Sequence, residues 1–138
     1  MTYIPVALRQ LIYEQAEGRC EYCLIPDDAA FAAHEIDHVI AEKHGGLTEA
    51  NNLALSCSLC NKQKGSDLTS IDPETNQIVR LFNPRDDRWR DHFRLSEGRI
   101  VPLSATGRVT ERLLRLNNTA RIKERNALLR TNRIKVSE

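Results

Sequence analysis

Apolar residues at helical spacing predict a helix near the start of the chain. In residues 5–17, PVALRQLIYEQAE, apolar positions recur every three or four residues, which is the period of one helix face. Pro5 suits the first position of a helix, and Gly18 is typical of the residue that ends one. We therefore expect an amphipathic helix that leads into the segment beginning at Cys20.

Two strands and a second helix are predicted next. Residues 34–42, HEIDHVIAE, and residues 52–56, NLALS, are short apolar runs of the kind that form strands. Gly45 and Gly46 lie in the turn-rich stretch between them, which predicts a loop. A helix is predicted from residue 61 to about residue 68.

The second half of the chain is predicted to contain short strands followed by one long helix. Glu97 and Gly98 have the sequence of a two-residue hairpin turn. Apolar residues return to helical spacing over residues 106–130, with Thr106 as the N-cap. The predicted strands lie in NQIVRLFNP (76–84), HFRLS (92–96) and RIVPLS (99–104).

Length and composition indicate a soluble globular protein of the α+β class. The 138 residues are 41% hydrophobic and 28% charged, which is ordinary for such proteins. We expect residues 1–68 to form one unit and residues 69–138 to form an extension of short strands and a basic helix packed on it. No apolar run approaches the roughly 20 residues of a membrane span, and the first residues do not resemble a signal peptide. We therefore expect an intracellular, cytoplasmic protein without a membrane partner.

Two cysteine pairs predict a structural zinc site. Cys20 and Cys23 form one CxxC pair, and Cys57 and Cys60 form a second pair 33 residues further on. The cytosol keeps thiols reduced, so a paired arrangement there more often binds metal than forms disulfides. A redox CxxC motif and two incidental pairs are the alternatives.

The net charge of +1 conceals an uneven distribution. Residues 1–66 carry 5 basic and 9 acidic side chains, a net of −4, whereas residues 67–138 carry 15 and 10, a net of +5. From Arg108 to the end the counts are 9 and 3, a net of +6. A polyanion partner for this segment is one interpretation, and a solvated helix face is the other.

The motifs between the cysteine pairs resemble those of the HNH endonuclease family in its zinc-stabilised form. The resemblance covers residues 18–66 and rests on CEYC, EIDHVI, GG, NNLALSC and CNKQKG in that order. Residues 78–117 are also similar to a C-terminal extension found in many bacterial members. The resemblance implies a ββα-metal core, which the four cysteines would clamp, and the residue patterns add an N-terminal helix before it and a hairpin with a long helix after it. It also implies hydrolysis of DNA, double-stranded DNA above all, with one divalent cation and no small-molecule cofactor.

The resemblance implies roles for four residues of this core. His38 corresponds to the general base, a task that suits imidazole because its pKa lies near neutral pH. Asp37 corresponds to the carboxylate that binds the cation. Asn52 corresponds to the residue that bonds the loop backbone and so orients the histidine, with Asn51 as the alternative. Asn61 occupies the third motif position, where the family name has a second histidine.

Oxygen ligands at two positions favour a hard cation. If Asp37 and Asn61 bind through oxygen, Mg²⁺ is expected, with Mn²⁺ as a substitute. Lys64, Lys62 and His44 are candidates for contacts to DNA phosphates, and solvated or loop side chains are the alternatives. A zinc-stabilised nucleic-acid-binding module without catalysis is the alternative function for the chain, and its oligomeric state is left open.

Overall fold

Helices and short hairpins alternate along the chain. The computed structural model describes residues 2–136 and contains five α-helices and three two-stranded antiparallel sheets there. In chain order the elements are α1 Val6–Gln15, β1 Glu35–His38, β2 Leu53–Ser56, α2 Ser58–Lys64, β3 Thr69–Ile71, β4 Ile78–Arg80, α3 Trp89–His92, β5 Phe93–Ser96, β6 Arg99–Pro102, α4 Ala105–Leu113 and α5 Thr119–Arg130. The fold is α+β, as the sequence predicts.

The predicted hairpin and its following helix form the centre of the first half. β1 pairs with β2 in antiparallel register, so that Asp37 lies opposite Ala54 and His38 lies opposite Leu53. Both strands are shorter than the sequence indicates, and the loop between them contains two 3-10 turns. α2 packs against β1, which gives the strand, strand and helix order of the predicted core.

α1 covers one face of this hairpin. Its apolar side chains include Ile12, which is fully buried, and they pack with Leu53 and Leu55 of β2. Pro5 is the N-cap residue rather than the first helical residue, and Gly18 follows the helix with φ +69. The prediction of an N-terminal amphipathic helix is therefore confirmed, with bounds shifted by one or two residues.

α2 begins three residues earlier than predicted. Cys57 is its N-cap, and the Cys57 sulfur accepts a hydrogen bond from the Cys60 backbone N–H at 3.4 Å. The second CxxC pair thus forms the first turn of the helix instead of preceding it. Gly65 ends the helix with φ +53, so the expected continuation to about residue 68 is wrong.

The single long helix predicted over residues 106–130 is also wrong. α4 begins after Ser104, whose hydroxyl caps Gly107 N–H at 2.9 Å, so Ser104 and not Thr106 is the N-cap. Arg115 adopts φ +52 after the end of α4, and Leu116 N–H bonds back to the Glu111 carbonyl at 3.0 Å, which is a Schellman C-cap. The helical period continues across this break, so periodicity alone does not reveal it.

A new helix begins directly after the break. Asn118 caps α5 by accepting a hydrogen bond from Ala120 N–H at 3.0 Å. The neighbouring Asn117 bonds both the N–H and the carbonyl of Ile100 in β6, at 2.8 and 2.7 Å. Asn118 therefore starts the second helix, and Asn117 fastens the connection to the last hairpin.

The largest apolar core joins the cysteine region to the second half of the chain. It contains the four cysteines and residues from nearly every later element, among them Phe82, Trp89, Phe93, Ile100, Leu114, Leu116 and Leu128. Trp89 also donates its indole N–H to the Tyr22 carbonyl at 3.0 Å. The extension is thus packed on the cysteine region, whereas the division at residue 68 stays a prediction. None of the helices within the described residues is both long and apolar enough to cross a membrane.

Gly98→Ala is expected to destabilise the protein more than Gly45→Ala. Both glycines have φ near +90, where a Cβ costs about 1–2 kcal/mol. A Cβ at Gly98 would also lie 2.4 Å from the Ile122 carbonyl oxygen of α5, whereas one at Gly45 meets nothing within 4 Å. Urea unfolding of the two variants checks this, and equal losses of unfolding free energy would contradict the close approach.

Candidate metal centre and active site

The four cysteine sulfurs converge in one buried cluster. Their ligand atoms all lie within 4.8 Å of one another, and the Cys23 and Cys57 sulfurs are 3.6 Å apart. Sulfurs held tetrahedrally by zinc at about 2.3 Å are about 3.8 Å apart. All four cysteines are buried and free of disulfides. The cluster therefore fits a structural zinc ion, which Cys20, Cys23, Cys57 and Cys60 would hold.

An arginine of α5 completes this cluster. The Arg121 guanidinium donates to the Cys60 sulfur at 2.8 Å, and its other terminal nitrogen donates to the Leu114 carbonyl at the end of α4 at 2.8 Å. Burial opposes its charge, yet the Cys60 and Cys23 thiolates keep the pKa of Arg121 above its usual value. Arg121 thus offsets thiolate charge and holds α4 and α5 against the cysteine cluster.

His38 stands at the end of β1 with its imidazole partly exposed. Its Nε2 lies 2.9 Å from the Thr48 hydroxyl and 3.8 Å from a Glu42 carboxylate oxygen. Both groups approach the same ring nitrogen. The Thr48 hydrogen bond fixes the orientation of the ring, whereas the Glu42 oxygen lies beyond hydrogen-bond distance. If Thr48 accepts from Nε2, Nδ1 is the basic nitrogen.

Asn52 fastens the loop that carries these partners. Its Oδ1 accepts from Ile40 N–H at 2.9 Å, and its Nδ2 donates to the carbonyls of Ile40 and Leu47 at 3.0 and 2.9 Å. Gly46 permits this packing, because a Cβ there would lie 1.7 Å from the Ile40 carbonyl oxygen. The side chain therefore makes the backbone bonds expected of the motif asparagine, at the point where the chain leaves His38. The exposed Asn51 makes none of these three bonds.

Asp37 points to the opposite side of β1 and is 5% exposed. The Tyr22 hydroxyl donates to its Oδ2 at 3.0 Å, and the Lys64 ammonium lies 3.1 Å from the same oxygen. Burial raises the pKa of Asp37 above its usual value, while the Lys64 charge and the Tyr22 hydrogen bond oppose the rise. The carboxylate is thus enclosed between two partners, and one of them is a cation.

The other predicted residues divide between this side of β1 and the exposed surface. Lys64 is 2% exposed and also donates to the His38 carbonyl at 3.3 Å, so it faces the protein interior rather than solvent. Asn61 donates its amide to the Glu35 carboxylate at 3.0 Å. Lys62 is exposed on α2, and the exposed His44 ring lies 3.1 Å from the Ser66 carbonyl oxygen.

The structure therefore groups the predicted residues in two sets. Asp37 and Asn61 lie on the α2 side of β1, together with Glu35, whereas the His38 ring meets the loop between the strands. This follows from the alternation of side chains along a strand. Lys64 contacts both sets, since it bonds the Asp37 side chain and the His38 backbone.

Residues 20–67 match the family model described as HNH endonuclease. The chain carries an HNH domain. This segment spans both cysteine pairs, β1, β2 and α2, and ends just after Gly65. No curated protein and no solved structure matches the chain. The HNH domain supports a nuclease or nucleic-acid-binding function with a cysteine metal site.

Sequence reasoning misses several partners of the HNH motif residues. Tyr22 lies between two cysteines of a motif and carries no signal for a contact to Asp37. Thr48 lies in the predicted loop, and only the i,i+4 spacing of Glu42 from His38 hints at a contact. Arg121 belongs to the predicted basic helix, but its contact with the cysteines spans a chain separation of 61 residues.

Cys57→Ser is expected to abolish zinc binding and lower the melting temperature strongly. A serine hydroxyl is a poor zinc ligand, and structural zinc contributes on the order of 10 kcal/mol to folding. Zinc content by atomic absorption and thermal unfolding check this. Ser58→Ala, a half-buried neighbour in α2, is the control and is expected to retain both. A variant that lacks zinc but keeps the wild-type melting temperature would argue against a stabilising role for the zinc site.

Asn52→Ala is expected to speed hydrogen exchange at the Ile40 amide at least about tenfold. The substitution removes the acceptor of that amide and two further bonds to the loop, which reduces stability by about 1–3 kcal/mol. NMR hydrogen exchange measures the effect. Asn51→Ala is the matched control and should leave the exchange rate of the Ile40 amide unchanged. Similar exchange rates in both variants would contradict the proposed bonding of Ile40 by Asn52.

Proposed function

We propose that the protein is a metal-dependent endonuclease that hydrolyses phosphodiester bonds of DNA, with His38 as the general base. The observation that carries this proposal is the placement of the His38 ring at the end of β1. The Thr48 hydroxyl bonds its Nε2, the Glu42 carboxylate lies 3.8 Å from the same nitrogen, and Asn52 fastens the loop beside it. A ring that only filled space would not need such restraint, whereas a general base must present one nitrogen to a water molecule.

In this proposal His38 accepts the proton of the attacking water at Nδ1. The Thr48 hydroxyl would then accept a hydrogen bond from Nε2, and the Glu42 carboxylate lies 3.8 Å from that nitrogen. Asn52 keeps the loop from turning the ring away. Its contribution is to position the base, not to transfer a proton.

The donor chemistry on the α2 side of β1 suits a divalent cation. The Lys64 ammonium, a cation itself, lies among the Asp37 carboxylate oxygens and the His38 carbonyl. Asp37 and Asn61 would hold Mg²⁺, or Mn²⁺ in its place, through hard oxygen ligands. A bound divalent ion would neutralise charge on the phosphate during hydrolysis. Asp37 would then exchange its bond with Lys64 for one to the metal.

Phosphate contacts are assigned to exposed side chains of α2 and of the loop between β1 and β2. Lys62 on α2 and His44 in the loop both face solvent. Lys64 reaches phosphate only if it leaves Asp37, which is the same movement that frees the carboxylate. Double-stranded DNA is the proposed substrate, and the cytoplasm is the proposed location.

A nucleic-acid-binding module without catalysis is the second candidate. One observation favours it: the buried ion pair between Asp37 and Lys64 occupies the carboxylate that would bind the cation. A zinc-stabilised domain in which this pair is permanent would retain DNA binding and lack cleavage. The two candidates differ in whether Mg²⁺ can displace the Lys64 ammonium from the Asp37 carboxylate: the nuclease requires this, and the binding module does not.

His38→Ala is expected to lower cleavage of supercoiled plasmid in Mg²⁺ by at least about 100-fold, because general-base catalysis contributes that much. Zinc content and melting temperature should stay unchanged. His92→Ala, which removes a half-buried imidazole outside the HNH domain, is the control and should retain cleavage. If the wild-type protein cuts no plasmid with Mg²⁺ or Mn²⁺, the binding module without catalysis is favoured. If the His38→Ala protein still cuts plasmid, His38 is not the general base.

Lys64→Met is expected to make the melting temperature rise with added Mg²⁺ more than it does for the wild-type protein. Without the ammonium, Asp37 is left as a buried charge, and a divalent cation supplies the missing partner. Thermal unfolding across a Mg²⁺ series measures the effect. The control is Lys62→Met, on the exposed side of α2. A Lys64→Met protein indifferent to Mg²⁺ would argue against Asp37 as a cation ligand.

A further inference from the structure

A polar cleft of about 590 Å³ lies beside the HNH domain. One wall is Gln63 of α2, another is the turn between β3 and β4, and the third is the C-terminal end of α4. Two arginines line it: Arg112 of α4 and Arg115, two residues after the end of that helix. The cleft is distinct from the surroundings of His38, but it shares α2 with Asn61 and Lys62.

Three of the seven arginines from Arg108 to the end of the chain bond inside the fold. Arg108 bonds both oxygens of Asp72 at 2.9 Å, Arg121 bonds the cysteine cluster, and the fully buried Arg125 bonds the Gly98 carbonyl at 2.7 Å. Arg112 and Arg115 differ. Both are exposed, and neither guanidinium has a hydrogen-bond or ion-pair partner within residues 2–136.

The one acidic residue among those that line the cleft is paired with an arginine. Asp72 is fully buried, and Arg108 pairs with it and with the exposed Glu74 of the same turn. Hydrogen bonding to Arg108 holds the pKa of Asp72 well below its usual range, so the carboxylate stays ionised and paired. Among the described residues that line the cleft, the charged groups without a partner are Arg112 and Arg115.

The backbone at Arg115 adds a second observation. Its φ of +52 is a left-handed conformation at the position of a Schellman cap that glycine fills best. The Arg115 guanidinium has no bonding partner within the described residues, so no contact inside the fold compensates for the cost of a non-glycine residue in this conformation. The fold therefore does not require an arginine here, and the side chain is available for a ligand outside the chain.

We propose that Arg112 and Arg115 bind the phosphate backbone of duplex DNA along this cleft. The inference rests on the proposed function, because it takes the DNA to be the same molecule whose phosphodiester bond reaches His38. Gln63, Ser70 and Asn76 add polar side chains to the walls. Gln63 of the cleft directly follows Lys62 in α2, and in this proposal one DNA backbone runs from the site to the extension.

Arg112→Ala/Arg115→Gly is expected to flatten the salt dependence of DNA binding. Removal of one phosphate-binding cation lowers the slope of log K against log salt by about 0.9, so the double variant should show a slope smaller by about 1.8. Fluorescence anisotropy with a duplex measures the slope. Both the parent protein and the double variant carry His38→Ala and are measured without added Mg²⁺ or Mn²⁺ and without chelator, so the structural zinc is retained and the measurement does not depend on cleavage.

Two controls separate a DNA-binding role from a folding defect. Lys123→Ala/Arg130→Ala removes two cations of α5 that do not line the cleft, and it should leave the slope within about 0.3 of the parent. Arg115→Gly alone should melt no lower than the parent, because glycine suits its φ. Equal slopes for the cleft variant and the α5 variant, or no DNA binding by the parent, would overturn the proposal. A reduced slope for the cleft variant, together with no cleavage by the wild-type protein, would support DNA binding at the cleft and contradict the proposed nuclease activity.

Discussion

The convergence of four thiolates is the interaction on which the rest of the fold depends. Each cysteine pair comes from a different part of the first half, and Cys57 also serves as the N-cap of α2. The same cluster lies in the largest apolar core, where it meets residues from the second half. A segment of about 50 residues buries too little apolar surface to hold a rigid hairpin alone. Metal binding and packing of the extension therefore support the same few elements.

Arg121 shows how the extension becomes part of this centre. Its guanidinium joins the Cys60 sulfur to carbonyls at the end of α4, so one side chain offsets thiolate charge and caps a helix. A buried arginine is stable only when its charge and its donors are matched. The extension is thus bound to the cysteine cluster by polar contacts as well as by apolar packing, and the two halves of the chain depend on each other.

The alternation of side chains along β1 sets the central question about mechanism. Asp37 and His38 are adjacent in sequence, yet their side chains leave the strand on opposite sides and meet different partners. Lys64 connects them by bonding one side chain and the other backbone. In the proposed function, the choice between the ammonium and a divalent ion as the cation at Asp37 would decide between catalysis and binding alone.

The sequence by itself determined the elements whose signals are local. The two CxxC pairs, the hairpin between them and the HNH motif residues could be identified because short-range spacing and residue type define them. The break between α4 and α5 could not, since the apolar period continues through Arg115 while the backbone reverses. The burial of Arg121 and Lys64 could not be predicted from the sequence either. Both depend on partners 27 to 61 residues away, and only the folded chain brings a charge and its counter-charge together.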